Sequence, residues 1–137
     1  MKNPEMITKT LSTDQHSQFV NITSLVLEAL AESGVRSGIL TVFVSHTTAG
    51  ITINENADPD VTRDMLNILD RTIPWEDPDY KHFEGNTAAH MKASLMGNST
   101  QIIVEEGRLQ LGTWQGIYFC EFDGPRQRKI RVKVMGQ

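Results

Sequence analysis

Gly38-Ile39-Leu40-Thr41-Val42-Phe43-Val44-Ser45-His46-Thr47-Thr48-Ala49-Gly50-Ile51-Thr52-Ile53-Asn54-Glu55-Asn56-Ala57-Asp58 is the stretch on which the reading of this chain turns. Its opening run is apolar on both alternating sets. That reads as a central strand covered on both faces, or covered on one of them by a partner subunit. Side chains alternate across a strand, so Leu40, Val42, Val44 and His46 share a face, and His46 falls where that core-facing row ends. Gly50 separates this strand from a second short one over 51–53. Imidazole, hydroxyl and carboxylate groups crowded just past a buried strand are costly to desolvate without partners or a ligand. The stretch is therefore a candidate site.

On the N-terminal side, Met6, Ile7, Thr8, Thr10 and Leu11 suggest a first strand, and Ser12-Thr13-Asp14 offers turn and cap chemistry. Phe19, Ile22, Val26, Ala29 and Leu30 recur at helical spacing, predicting a helix over 17–33 closed by Gly34. On the C-terminal side, Asp58 and Pro59 make a good helix start, with Val61, Met65, Ile68 and Leu69 as its apolar stripe. Residues 72–85 carry Pro74, Trp75, Pro78, Tyr80 and Phe83 without periodicity, which reads as an ordered functional loop. Asn86 then caps a helix over 87–96, ended by Gly97, with Met91 and Leu95 on its packed side. The last third is β. Strands are expected over 100–104 and 109–112, and the segment 114–122 is expected to pair with 129–135 across Asp123-Gly124-Pro125-Arg126. Ile130, Val132 and Val134 alternate with Lys129, Arg131 and Lys133, so one face of the last strand is buried and one is wet.

A chain of 137 residues supports one domain with a real core and is short for two. No apolar run approaches the roughly 20 residues of a membrane span, and residues 1–5 lack the apolar core of a secretory leader. The single cysteine, Cys120, excludes an internal disulfide and fits a reducing, cytoplasmic setting. A net charge of −4 argues against a nucleic-acid partner, whose phosphates demand basic surface.

Among the histidines, His46, His82 and His90 are the candidate metal ligands. The turn at Gly85 lets His82 and His90 converge, and His46 must meet them through packing. This spacing matches no compact zinc motif, so the alternative stands that His46 is a satisfied strand-end residue and His82 a surface one. His16 reads as solvent-exposed. Glu55 follows His46 closely enough to share its pocket as a general base, a ligand or an orienting partner, whereas Asp58 is accounted for as a helix cap. Thr47 and Thr48 can hydrogen-bond a phosphate or satisfy the turn backbone. Arg126 and Arg128 have the planar fork suited to phosphate oxygens, or form a solvated edge. Cys120 alternates with Tyr118 and Phe122, as a packed small hydrophobe does. No Gly-rich phosphate loop, nucleophile elbow or C-x-x-C is present.

Ser45-His46-Thr47-Thr48-Ala49-Gly50, Asn54-Glu55-Asn56-Ala57-Asp58, Gly85 through Gly97, Gly107 through Ile117, and Cys120-Glu121-Phe122-Asp123-Gly124-Pro125-Arg126 together resemble the YjbQ-like family, whose members are also called secondary thiamine-phosphate synthase enzymes. The resemblance covers nearly the whole chain. It implies one compact α+β domain over 1–137, with a large, mainly antiparallel sheet or sandwich and about three helices, assembling as a homotrimer. It also implies thiamine-phosphate synthase activity on small phosphorylated substrates, and a divalent-metal or anion site near the histidines. The family's characteristic polar positions correspond here to His46, Thr47, Glu55, His82, His90, Gln115 and Arg126. On this reading His46 and Glu55 are catalytic, and Thr47, Thr48, Gln115 and Arg126 bind substrate. His46, His82 and His90 hold a metal, zinc-like by its ligands or Mg²⁺ if the chemistry is that of a diphosphate. The rival expectations are a zinc-dependent hydrolase with Glu55 as base and a non-catalytic metal- or metabolite-binding trimer.

Overall fold

The computed structural model describes residues 5–137; residues 1–4, and with them most of the segment read as lacking a leader, lie outside it. The elements run β1 (Ile7–Ser12), β2 (Gln18–Asn21), α1 (Thr23–Ser33), β3 (Gly38–Phe43), β4 (Ala49–Glu55), α2 (Pro59–Thr72), α3 (Thr87–Met96), β5 (Ser99–Glu105), β6 (Arg108–Leu109), β7 (Gln115–Glu121) and β8 (Gln127–Gly136). They form a five-stranded sheet in the order β1-β8-β3-β5-β6 and a three-stranded sheet in the order β2-β7-β4. The pairings are antiparallel throughout. The result is one α+β domain. Among the described residues, no helix is long and apolar enough to cross a membrane.

β3 sits at the middle of the larger sheet, as its apolar run requires, paired with β8 and β5. Leu40, Val42 and Val44 are buried against Ile117 and Phe119 of the smaller sheet and against Val26 and Leu30 of α1. The other row of β3 is only half covered: Ile39 and Phe43 stand out from the sheet, beside Ile103 of β5 and Met135 of β8. β7 is buried on both faces. Ile117 and Phe119 look into the core between the sheets, while Tyr118, Cys120 and Phe122 pack under Ala89 and Ala93 of α3.

Five local expectations change. Residues 18–21 are a strand rather than the first turn of a helix, because Phe19 and Val20 lie opposite Cys120 and Phe119 of β7. The helix then opens at Thr23, whose N–H donates to Asn21 Oδ1 at 3.0 Å and whose hydroxyl accepts from the Ile117 N–H. Its end is as read, with Gly34 left-handed at φ 69°. Gly50 lies inside β4, not before it, opposite Cys120. A Cβ there would stand 2.8 Å from the Gly97 carbonyl and 2.9 Å from Met96 Cβ, so glycine lets α3 lie directly on the strand.

That close approach also explains why α3 buries Ala88, Ala89, Lys92 and Ala93, while Met91 and Leu95 face outward. The larger side chains would hold the helix off the sheet. The stripe on α2 shifts as well, with Leu66 and Leu69 packed and Ile68 about half exposed. Finally, β7 and β8 do not form a hairpin. Asp123-Gly124-Pro125-Arg126 carries the chain from one sheet to the other, so β7 pairs with β2 and β4 and β8 with β1 and β3.

Candidate functional site

The segment after β3 is pinned to the end of α3. The Val44 N–H donates to the Asn98 carbonyl at 2.7 Å, and the Ile51 N–H donates to the Gly97 carbonyl at 3.0 Å. A cleft of about 530 Å³ opens between these two connections, lined by His46, Thr47, Ala49, His90, Ala93, Ser94, Gly97 and Asn98. The lining is uncharged apart from what its imidazoles carry.

His46 is half-buried, its ring edge-on to Phe119 at 6.4 Å between centroids. Its Nε2 accepts the Lys129 backbone N–H at 3.0 Å. Burial, and then the nearby Arg128 guanidinium, hold its pKa below the ordinary imidazole value. Thr47 is exposed at the cleft. Thr48 is buried, and its hydroxyl accepts from Arg128 Nη2 at 2.9 Å while its carbonyl accepts from the Phe122 N–H. This placement commits Thr48 to the framework.

His82 and His90 converge as the Gly85 turn suggests. The Gly85 N–H donates to the His82 carbonyl, α3 begins two residues later, and the two rings lie 5.5 Å apart at 84°. Two imidazoles on one tetrahedral zinc, at Zn–N of about 2 Å, have centroids roughly 5 Å apart, so the spacing alone, without the direction of the ring nitrogens, is compatible with a shared ion. His46 lines the same cleft as His90, yet among the described residues no group of three or more His, Cys, Asp or Glu converges as a metal site. A three-histidine centre therefore does not close within one protomer.

Glu55 and Gln115 are a separate pair. They face each other across the far end of the β4–β7 ladder, whose near end, Ala49 opposite Glu121, adjoins the cleft. Six residues of strand put roughly 20 Å between those ends. Glu55 therefore does not share a pocket with His46 in one protomer. Its charge instead raises the pKa of the Tyr118 hydroxyl, after the larger effect of burial. Gln115 Oε1 accepts the Gly112 N–H at 2.8 Å. Arg126 folds back on its own turn, donating from Nε to the Asp123 carbonyl at 2.9 Å and from Nη2 to Asp123 Oδ2 at 3.1 Å.

The most consequential polar group was not singled out from the sequence. Glu121 is fully buried and accepts from Arg128 Nε at 2.8 Å, from Arg128 Nη2, from the Thr13 hydroxyl and from the Asp123 N–H. This ion pair bridges the two sheets, close enough to His46 to act on its pKa. Strand parity carried the signal: Arg128 is in phase with Ile130, Val132 and Val134, and Glu121 with Ile117 and Phe119. Lys92, also buried, reaches Asp70 on α2. Asn86 opens α3 without capping it, its Nδ2 donating to Asp123 Oδ2 at 2.9 Å.

His16 is exposed as expected, its ring edge-on to Trp75 at 4.4 Å and its Nε2 3.9 Å from Asp123 Oδ1. The aromatic loop does not lie over the histidine cleft. Trp75 lines a different recess with Gln15, His16 and Asp70, and Phe83 is exposed beside His82. Cys120 is buried and its thiol pKa is pushed strongly upward by burial, as for a packed hydrophobe.

A two-sheet α+β sandwich with a histidine-bearing cleft between its third helix and the β3–β4 connection is the class this geometry defines. The chain belongs to the UPF0047 YjbQ-like family, whose model matches residues 7–137. It is 56% identical over 126 residues to the UPF0047 protein YugU of Bacillus subtilis, covering 92% of this chain and 96% of that one. It is 50% identical over 128 residues to a UPF0047 protein of Methanocaldococcus jannaschii, covering 92% and 91%. Among solved structures, an uncharacterised conserved YjbQ/UPF0047 protein of Clostridium acetobutylicum superposes with a TM-score of 0.92 at 63% identity, covering 94% of this chain and 99% of that one. A protein of unknown function from Sulfolobus solfataricus gives 0.92 at 33% identity, covering 98% and 99%.

Proposed function

We propose that this protein is a small cytoplasmic enzyme that works as a homotrimer on a small phosphorylated substrate held in the His46/His90 cleft. Thiamine-phosphate synthesis, the activity implied by the family resemblance, is the first candidate reaction. The observation that carries the reading is the cleft itself, where imidazoles, hydroxyls and an amide meet without a lining carboxylate. Such a set suits phosphate oxygens, which need donors and are repelled by carboxylates. His82 and His90 are the residues that would hold a divalent ion, whose charge would offset that of a phosphate or departing pyrophosphate. Thr47 and Ser94 offer hydroxyls to the substrate, and His46 orients it.

A second reading is favoured by the outer face of the larger sheet. Ile39, Phe43, Ile103 and Met135 are 39–56% exposed there, an apolar surface of the kind that covers itself by assembly. On that reading the trimer binds a metabolite without turning it over. The hydrolase reading has less support, because Glu55 would have to reach a cleft on another copy.

A metal-replete screen of phosphorylated and thiamine-pathway metabolites separates these, with His90→Ala as control. Turnover that disappears in His90→Ala while assembly persists supports the enzyme. Binding without turnover for any substrate supports the second reading instead.

A further inference from the structure

We infer that His46 serves the cleft as an Nδ1–H donor to an oxyanion and is not a metal ligand. β3 pairs with β8 from Gly38 opposite Gly136 to Phe43 opposite Arg131. Continued by two residues, that ladder would set Ser45 opposite Lys129. The chain leaves the sheet after Phe43 instead, and His46 Nε2 takes the Lys129 N–H at 3.0 Å in place of a backbone acceptor.

A backbone N–H only donates, so Nε2 presents its lone pair inward to β8. A neutral imidazole has one donor and one acceptor, and with Nε2 accepting, the proton resides on Nδ1. Burial, then Arg128, hold the ring's pKa below the ordinary imidazole value against the opposing influences of Glu121 and the Lys129 contact. Coordination through Nε2 would break the contact that secures the start of β8. Coordination through Nδ1 while Nε2 still accepts would require the doubly deprotonated ring. His46 therefore stands apart from the His82/His90 pair, and the failure of a three-histidine centre to close has a local cause.

The ligand class follows from what surrounds that N–H. Thr47, Ser94 and Asn98 line the same cleft. An N–H and hydroxyls together suit a phosphate or carboxylate oxygen. The donor assignment stands on the Lys129 contact alone; the choice of phosphate rests on the reading proposed above.

The test uses full-length protein labelled with ¹⁵N in its histidine rings and two-bond ¹H–¹⁵N correlation spectra, with the His46 signals identified by their loss in His46→Asn. The expected result is the Nδ1–H pattern for His46. Zn²⁺ should shift the His82 and His90 signals and leave His46 in place, and inorganic phosphate should move the His46 Nδ1–H signal. An Nε2–H pattern, or Zn²⁺ coordination at His46, overturns the inference. An Nδ1–H pattern that phosphate does not move upholds the donor assignment and defeats the phosphate reading. His46→Asn can place an amide N–H near the Nδ1 position but is too short to reach the Lys129 N–H, so it should keep phosphate binding at reduced stability, whereas His46→Ala should lose phosphate binding.

Discussion

Replacing Arg128 with methionine should be among the most damaging single changes in the molecule. Glu121 is fully buried and Arg128 nearly so, with side-chain exposures of 0% and 3%. Arg128→Met leaves a carboxylate between the sheets with only the Thr13 hydroxyl and the Asp123 N–H, and frees the Thr48 hydroxyl. Removing one partner of such a pair costs about 3–5 kcal/mol. At an unfolding entropy of roughly 0.3 kcal/mol/K for this length, the midpoint should fall by about 10–17 °C. Calorimetry or circular dichroism at fixed protomer concentration measures it, since assembly would make the midpoint concentration-dependent. Glu121→Leu combined with Arg128→Met should recover more than half of the loss, because the penalty lies chiefly in the stranded charge.

The pH dependence has a definite sign. Burial pushes the Glu121 carboxyl up, but Arg128, the Asp123 N–H and the Thr13 hydroxyl outweigh it and hold its pKa below the usual value. A depressed pKa means the contribution is complete above the unfolded value of about 4.3 and is lost as pH falls through the folded one. A single variant that loses less than about 1 kcal/mol, with no change in its acid limb, would refute the picture of a pair that joins the sheets.

Other outcomes follow from packing. Gly50→Ala should destabilise the protein by about 1–3 kcal/mol in urea titration, since its Cβ would press on the Gly97 carbonyl; a neutral effect would show that α3 does not rest on β4 as described. Cys120 should resist thiol reagents in the native protein at mild alkaline pH and react only as fast as the chain unfolds, whereas rapid stoichiometric labelling would contradict its burial. Phe43→Asp, on the outer face of β3, should lower the molar mass seen by sedimentation to that of the protomer while leaving the far-ultraviolet spectrum intact; an unchanged mass would place any assembly surface elsewhere.

Elements whose signals are local were legible from the sequence. The centrality of β3 followed from apolar residues on both rows, the end of α1 from Gly34, and the start of α2 from Asp58, whose side chain accepts the Asp60 N–H. Elements decided by distant partners were not. Phe19 and Val20 fit a helical stripe as well as a strand, and only the uncovered edge of β7 selects the strand. Turn chemistry at Asp123-Gly124-Pro125 marks a chain reversal but not which sheet receives each arm, hence the mistaken hairpin. For the site, the meeting of His82 and His90 could be read from one turn of chain. The separation of Glu55 from His46 could not, because nearness in sequence along an extended strand is distance in space.

The central claim, that the His46/His90 cleft receives an oxyanion, is tested most directly by crystals soaked in tungstate, a heavy analogue of phosphate, and an anomalous difference map. The account predicts a peak within hydrogen-bond reach of His46 Nδ1 and among Thr47, Ser94 and Asn98, absent in His46→Ala. A cleft empty of anomalous signal, with peaks only along Arg126, Lys129 and Lys133, would contradict it.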